Sequence, residues 1–189
     1  RMKMDIIKTE FEGLQILRPK KYHDERGWFS EIYNQSFLKD NGIIEDFIQD
    51  NHSFSINKYT FRGFHLQTEP YSQAKLVRCL KGSILDIVVD LRSDSKTFNK
   101  IFTIELSDSD NNMILIPSGF AHGFLTLEDN VEVYYKVSKN YSPNHEVTIL
   151  YSDIKIPIEW PKDKMTISEK DKNGISLETF TQGLTRKGG

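Results

Sequence analysis

Between Phe61 and Val77 the chain gathers four side chains that could share one piece of chemistry: Arg62, His65, Gln67 and Lys75. A guanidinium and an ammonium suit an anionic ligand. An imidazole is the side chain whose ordinary pKa lies nearest neutrality. With a lysine one short hairpin away, the set fits proton abstraction by His65, with Lys75 holding the negative charge that develops. The same residues also fit a surface loop with ordinary basic side chains, and spacing alone supports the two about equally. A second imidazole, His122, stands between Gly119 and Gly123 in Ser118-Gly119-Phe120-Ala121-His122-Gly123-Phe124. Two glycines permit a tight backbone path that could aim the ring inward, although a solvated turn fits as well. Tyr135 falls on the apolar side of an alternating run with Val131, Val133 and Val137. That is the place of a core tyrosine, or of a proton donor if the face lines a cavity.

The elements that must carry these groups read as short strands. Ser83 to Leu91 alternates, with Leu85, Ile87, Val89 and Leu91 on one face and Ile84, Asp86, Val88 and Asp90 on the other. Two carboxylates on a partly apolar face must be solvated or must meet Lys, Arg or His from neighbouring strands. Further strands are expected over Ile6 to Pro19 with a break at Gly13, and over Phe29 to Tyr33 and Asp46 to Ser55. Ile101 to Leu106, Met113 to Ile116, Val131 to Val137 and Glu146 to Leu150 complete the set. Ser36 is placed to cap a short helix running to Lys39 and ended by Gly42. Residues 156–180 read as a loop with short helical pieces wrapping the body, and residues 181–189 as a polar disordered tail. About ten short strands and one or two short helices predict an all-β sandwich or barrel, within a single domain over residues 1–180. A jelly roll would leave room between its sheets for inward-pointing Asp86, His65 and Lys75.

Composition narrows the partners. The 189 residues carry 25 Lys and Arg against 27 Asp and Glu, a net charge of −2. That gives no charge excess for nucleic acid, so an anion site must be local. Cys79 is the only cysteine, which rules out an internal disulfide and favours a reducing compartment. There is no apolar run of the roughly 20 residues that span a bilayer, and the first residues show no signal-peptide character. The expectation is a cytoplasmic protein without membrane association. Twelve Phe and 8 Tyr point to the aromatic packing common in β-proteins.

Other chemistries lack their residues. A cupin-type metal centre wants two His one residue apart, but the chain has His65-Leu66-Gln67, so no bound metal is expected. There is no phosphate-cradling glycine loop and no Gly-x-Ser-x-Gly elbow, and Cys79 has no base beside it.

Six ordered stretches resemble one family, the dTDP-4-dehydrorhamnose 3,5-epimerases and related sugar-nucleotide epimerases. They are Arg62-Gly63-Phe64-His65-Leu66-Gln67, Gln73-Ala74-Lys75-Leu76-Val77, Asp86 to Arg92, Pro117 to Phe124, Tyr135-Lys136 and Ser168-Glu169-Lys170-Asp171. The likeness runs from Ile6 to about Ile175. It implies a cupin-like jelly-roll homodimer that needs no cofactor and acts on a nucleotide-linked 4-keto-6-deoxy sugar. It further implies His65 as base, Asp171 as its orienting partner, Lys75 beside the keto oxygen, and Tyr135 as acid on the opposite face of the ring. By the same resemblance Arg26, Glu31, Gln49, Asn51, Arg62, Gln73, His122 and Glu146 contact substrate, with Arg26 and Glu31 supplied across the dimer. The chain departs from the pattern at Asn140-Tyr141, where dTDP-specific members have two tyrosines and the first stacks on thymine. That leaves the base open among dTDP, GDP and CDP, and the motifs do not say whether C3, C5 or both invert. A 3,4-ketoisomerase of the same fold, a metal-dependent cupin enzyme and a non-catalytic sugar-nucleotide binder are the competing readings.

Overall fold

Alternating apolar residues become strands wherever a second sheet or a covering segment can bury them. The computed structural model describes residues 3–187, with side chains described through residue 184. Thirteen strands follow in chain order: β1 (Met4–Lys8), β2 (Gln15–Pro19), β3 (Tyr22–Asp24), β4 (Gly27–Phe29), β5 (Gln49–Ser55), β6 (Phe61–Gln67) and β7 (Lys75–Lys81). Then come β8 (Ser83–Asp90), β9 (Ile101–Ser107), β10 (Met113–Ile116), β11 (Phe120–Thr126), β12 (Val131–Val137) and β13 (Glu146–Thr148). Helices are short: α1 (Gln35–Asp40), α2 (Glu169–Lys172) and α3 (Leu177–Lys187).

Two antiparallel sheets face each other. One has the order β1-β2-β10-β7-β12-β5, the other β13-β6-β11-β8-β9. Between them lies a core that includes Val77, Ile84, Val88, Leu106, Ile114, Phe124, Val131 and Val133, contributed by both sheets. This is the all-β jelly roll that the strand pattern predicts. The outer face of the five-stranded sheet is also buried. Ile87, Val89, Leu91 and Leu125 pack there under the C-terminal segment, which brings Trp160, Met165, Ile167, Leu177 and Phe180. Strand β8 is therefore covered on both faces, which explains why its two alternating rows are both largely apolar.

The segment after β13 is tied down as well as packed. Trp160 sits edge-on to Phe61, with ring centroids 5.0 Å apart, and its indole N–H donates to the Ile154 carbonyl at 2.9 Å. Thr166 bridges to Thr60 in parallel, extending the sheet edge. Trp160, Met165, Ile167, Leu177 and Phe180 are only partly buried, so each contributes less than the roughly 1.5–3 kcal/mol of a fully buried side chain. The bridge leads directly into Ser168, which caps α2 by accepting from the Asp171 N–H at 3.2 Å.

Several expectations shift in detail. The strand expected over Phe29 to Tyr33 ends at Phe29, because β4 pairs only with β3 in a separate two-stranded hairpin. Helix α1 is capped by Asn34 rather than Ser36; the Asn34 side chain accepts from the Phe37 N–H at 3.0 Å. The polar tail expected to be disordered from Thr181 instead continues α3 to Lys187, and Gly188 and Gly189 lie outside the described residues. Among the described residues no helix is long and apolar enough to cross a membrane.

Candidate active site

Strands β6 and β11 bring the two histidines of the sequence motifs together. They pair antiparallel with His65 opposite His122, and the register slips between His122 and Phe124. Glycine makes that slip possible. Gly63 has φ of +140°, and a Cβ there would stand 2.6 Å from the Gly123 Cα. Only a residue without a side chain fits both the backbone angle and the approach.

Each imidazole has its own carboxylate. His65 Nε2 lies 2.7 Å from Asp171 Oδ1, and Asp171 Oδ2 accepts the Gly63 N–H at 3.1 Å. Burial raises the Asp171 carboxyl, but the bonds from His65 and Gly63 outweigh it and hold the group below the usual carboxylate range. A carboxylate only accepts, so the proton on Nε2 is fixed and Nδ1 is the nitrogen left free. His122 Nε2 lies 2.7 Å from Asp86 Oδ1 on the neighbouring strand β8. Here burial wins, and the His122 ring is pushed below its ordinary pKa despite Asp86.

The opposite sheet supplies Lys75 from β7, Tyr135 from β12, and Gln49 and Asn51 from β5. Burial lowers the Lys75 ammonium to about 8, with Asp86 and Glu146 pulling the other way. Burial also pushes the Tyr135 phenol up, so it carries its proton at neutral pH. A cleft between the sheets has two lobes. One, of about 360 Å³, is bordered by Gln49, Asn51, Gln73, Tyr141 and Glu146. The other, of about 250 Å³, is bordered by Ser53, Arg62, His122 and Asp171. His65, Lys75 and Tyr135 line both lobes and so mark the point where they meet. An imidazole from one sheet thus faces a phenol from the other across open space, with an ammonium at the same junction. Together these groups can take a proton from carbon, stabilise the anion, and return a proton from the opposite side.

The family model described as dTDP-4-dehydrorhamnose 3,5-epimerase matches residues 8–179. The chain belongs to that family. A relative of the same name from Shigella flexneri is 46% identical over 172 residues, covering 90% of this chain and 94% of the relative. The Bacillus anthracis enzyme of that name, solved with TDP and PPi bound, superposes with a TM-score of 0.86 at 39% identity, over 93% of this chain and 100% of its own. A 3,5-epimerase from Legionella pneumophila in complex with dTDP-4-keto-L-rhamnose gives 0.88 at 37% identity, over 96% and 97%.

Not every residue implied by the family resemblance reaches the cleft of this chain. Arg26 lies in the β3–β4 turn with its side chain 83% exposed, paired with Asp24. Glu31 accepts from the Asn34 amide at 2.7 Å, beside α1. Neither borders a lobe. Conversely, Tyr141 and Ser53 border the cleft and were not singled out from sequence. The signal for Tyr141 was its place before Ser142-Pro143; Ser53 gave none beyond lying two residues from Asn51 on one strand face. Asn140 is exposed, and its carbonyl accepts from Gln67. Gln67 is not free to hold a metal: its amide is spent on Tyr71, Asn140 and Ser142, which fixes the loop carrying Tyr141. Among the described residues no three His, Cys, Asp or Glu side chains converge as metal ligands.

Proposed function

We propose that this chain epimerises C3 and C5 of a dTDP-linked 4-keto-6-deoxy sugar without a cofactor. His65, through Nδ1, removes the proton from a carbon beside the ketone. Asp171 holds the ring in that tautomer and balances the imidazolium. The Lys75 ammonium stands by the keto oxygen and stabilises the enolate, and Tyr135 delivers a proton to the other face. The observation that carries this reading is the placement of His65, bonded to Asp171 of α2, and Tyr135 on opposite sheets around one cleft.

The nucleotide would occupy the larger lobe. Tyr141 is the aromatic surface we assign to the base, since its ring borders that lobe and its hydroxyl is anchored on Glu146 at 2.8 Å. A stacked base is worth about 1–3 kcal/mol, which makes up for the absence of a tyrosine at Asn140. Arg62, Gln49, Asn51, Gln73, Glu146 and His122 are the further substrate contacts, with Arg62 directed to phosphate. Arg26 and Glu31 enter this reading only through a second copy. The hairpin that carries Arg26 also exposes Tyr22, Trp28 and Phe29, at 40, 53 and 69%, and a homodimer in the cytoplasm would bury them and bring these residues to the partner's cleft.

The test is incubation with dTDP-4-keto-6-deoxyglucose in deuterated water, followed by NMR. Deuterium at C3 and C5 and an inverted product are expected. No exchange with that substrate, or with its GDP and CDP analogues, would sink the proposal.

A further inference from the structure

We infer that Asp86 is a positioning residue of this cleft: its carboxylate sets the His122 ring with Nδ1 toward substrate and keeps the neighbouring Lys75 side chain charged. The inference rests on the function proposed above. It starts from an anomaly in the hydrogen bonding.

Asp86 is completely buried, and one of its oxygens accepts from His122 at 2.7 Å. Its Oδ2 is buried and has no hydrogen-bond partner. A half-satisfied buried carboxylate is costly, and such a group in a native fold calls for an explanation. Binding His122 does not explain the charge, because the neutral amide of an asparagine could accept the same bond. What the charge does is act on Lys75.

The groups around Lys75 come from seven elements and the loop after β12. Anions are Asp86 on β8, whose field reaches Lys75 from behind the cleft wall, Glu146 on β13 and Asp171 on α2. Cationic or titratable groups are His52 on β5, His65 and Arg62 on β6, His122 on β11, Tyr135 on β12, Lys170 on α2 and Tyr141 in the loop. Two of the anions are already committed. Glu146 accepts from Lys170 and from Tyr141, each at 2.8 Å. Asp171 accepts from His65 and from Gly63. Of these three carboxylates only Asp86 has an oxygen to spare. Lys75 in turn has no direct ion-pair partner among the described residues, and its field comes first from Asp86 and then from Glu146. The unpaired oxygen and the unpaired ammonium thus belong together as an electrostatic pair with a gap between them. The gap leaves Lys75 free to meet the substrate oxygen, which a closed salt bridge would prevent.

For His122 the consequence is directional. A carboxylate at Nε2 fixes the proton there, and burial keeps the ring neutral, so Nδ1 presents a lone pair. That nitrogen accepts a bond from a substrate hydroxyl.

The experiment is Asp86→Asn, which keeps the shape and an acceptor oxygen but removes the charge. Lys75 is titrated without substrate, by competitive acetylation with acetic anhydride across pH and mass spectrometry of its peptide. The wild-type midpoint is expected near 8, and that of D86N lower by about one pH unit or more. The alkaline limb of kcat/KM should move by the same amount, with activity at lower pH retained. An unchanged Lys75 midpoint, or a loss of activity equal at every pH, overturns the proposal. Because labelling needs no turnover, it decides the role of Asp86 even if the sugar assignment fails. Should D86N not fold, ring-nitrogen NMR of the wild type remains decisive: a proton on Nδ1 of His122 at neutral pH overturns it.

Discussion

Replacing Asp171 by Asn tests the dyad at a single atom. The change hardly alters volume but exchanges one acceptor oxygen for a donor. In the native site both oxygens face donors, His65 Nε2 at 2.7 Å and the Gly63 N–H at 3.1 Å. An amide satisfies only one of them. With its oxygen kept on His65, the NH2 meets the buried Gly63 N–H, and the unmade bond costs about 1–3 kcal/mol. With its oxygen kept on Gly63, the NH2 meets His65 Nε2, which must lose its hydrogen. The proton then moves to Nδ1, the atom that has to receive one from carbon. The productive arrangement is therefore disfavoured by about 2 kcal/mol. The imidazolium also loses a charge-assisted bond worth about 1.5–3 kcal/mol. Together these amount to about 4 kcal/mol, or roughly a thousandfold in rate. The assay is deuterium incorporation at C3 and C5, followed by proton NMR on D171N, with a thermal melt to show that the fold persists. Exchange at the wild-type rate in a folded D171N would refute the assignment of His65 Nδ1 as base.

Other outcomes follow from the same geometry. Tyr135→Phe removes the opposing proton donor but leaves the base, so deuterium exchange should persist while product NMR shows inversion lost at one carbon. The Lys75 ammonium is present below about 8 and lost above it; kcat/KM should fall as pH rises through that value, and Lys75→Met should abolish the activity that this limb reports. Burial works against the charge on Asp90, yet bonds from Arg92, Ser95 and Thr97 outweigh it and hold the group at about 2. Its folded value is depressed, so its contribution of about 2 kcal/mol is present above the ordinary value and lost as pH falls toward 2. Urea unfolding across that range should show the loss in wild type and not in Asp90→Asn. Gly63→Ala places a Cβ 2.6 Å from Gly123 Cα at φ of +140° and should cost several kcal/mol by strain and displaced backbone, read as a lowered Tm with lost exchange.

Local pattern was enough for much of the fold. The alternation in Val131–Val137 and in Ser83–Leu91 marks strands because the sheets bury one row between them and the C-terminal segment buries another. The same logic left Asp86 and Asp90 either solvated or paired, and both are buried and paired, Asp86 with His122 of the neighbouring strand and Asp90 with Arg92 two residues on. Pairing distance was not legible. Asp171 reaches His65 from 106 positions away, and nothing between them in sequence declares that Thr166 will bridge to Thr60. Tyr135 had two readings because a strand's apolar row does not reveal where the core gives way to a cavity. Strand ends were missed where pairing stops for lack of a neighbour, as after Phe29. Arg26 and Glu31, which only the resemblance named, stand apart from the cleft within this chain, one paired with Asp24 in the β3–β4 turn and the other bonded to Asn34 beside α1.

The route by which Asp171 arrives has a consequence for timing. Every strand among the described residues precedes it in the chain, the last ending at Thr148. At roughly 5–20 residues per second of synthesis, Asp171 emerges a few seconds after that strand. During that interval both sheets can assemble around an imidazole that still lacks its counterion. A nascent molecule would thus acquire its shape before its reactivity, and the onset of turnover would report that the closing stretch has docked.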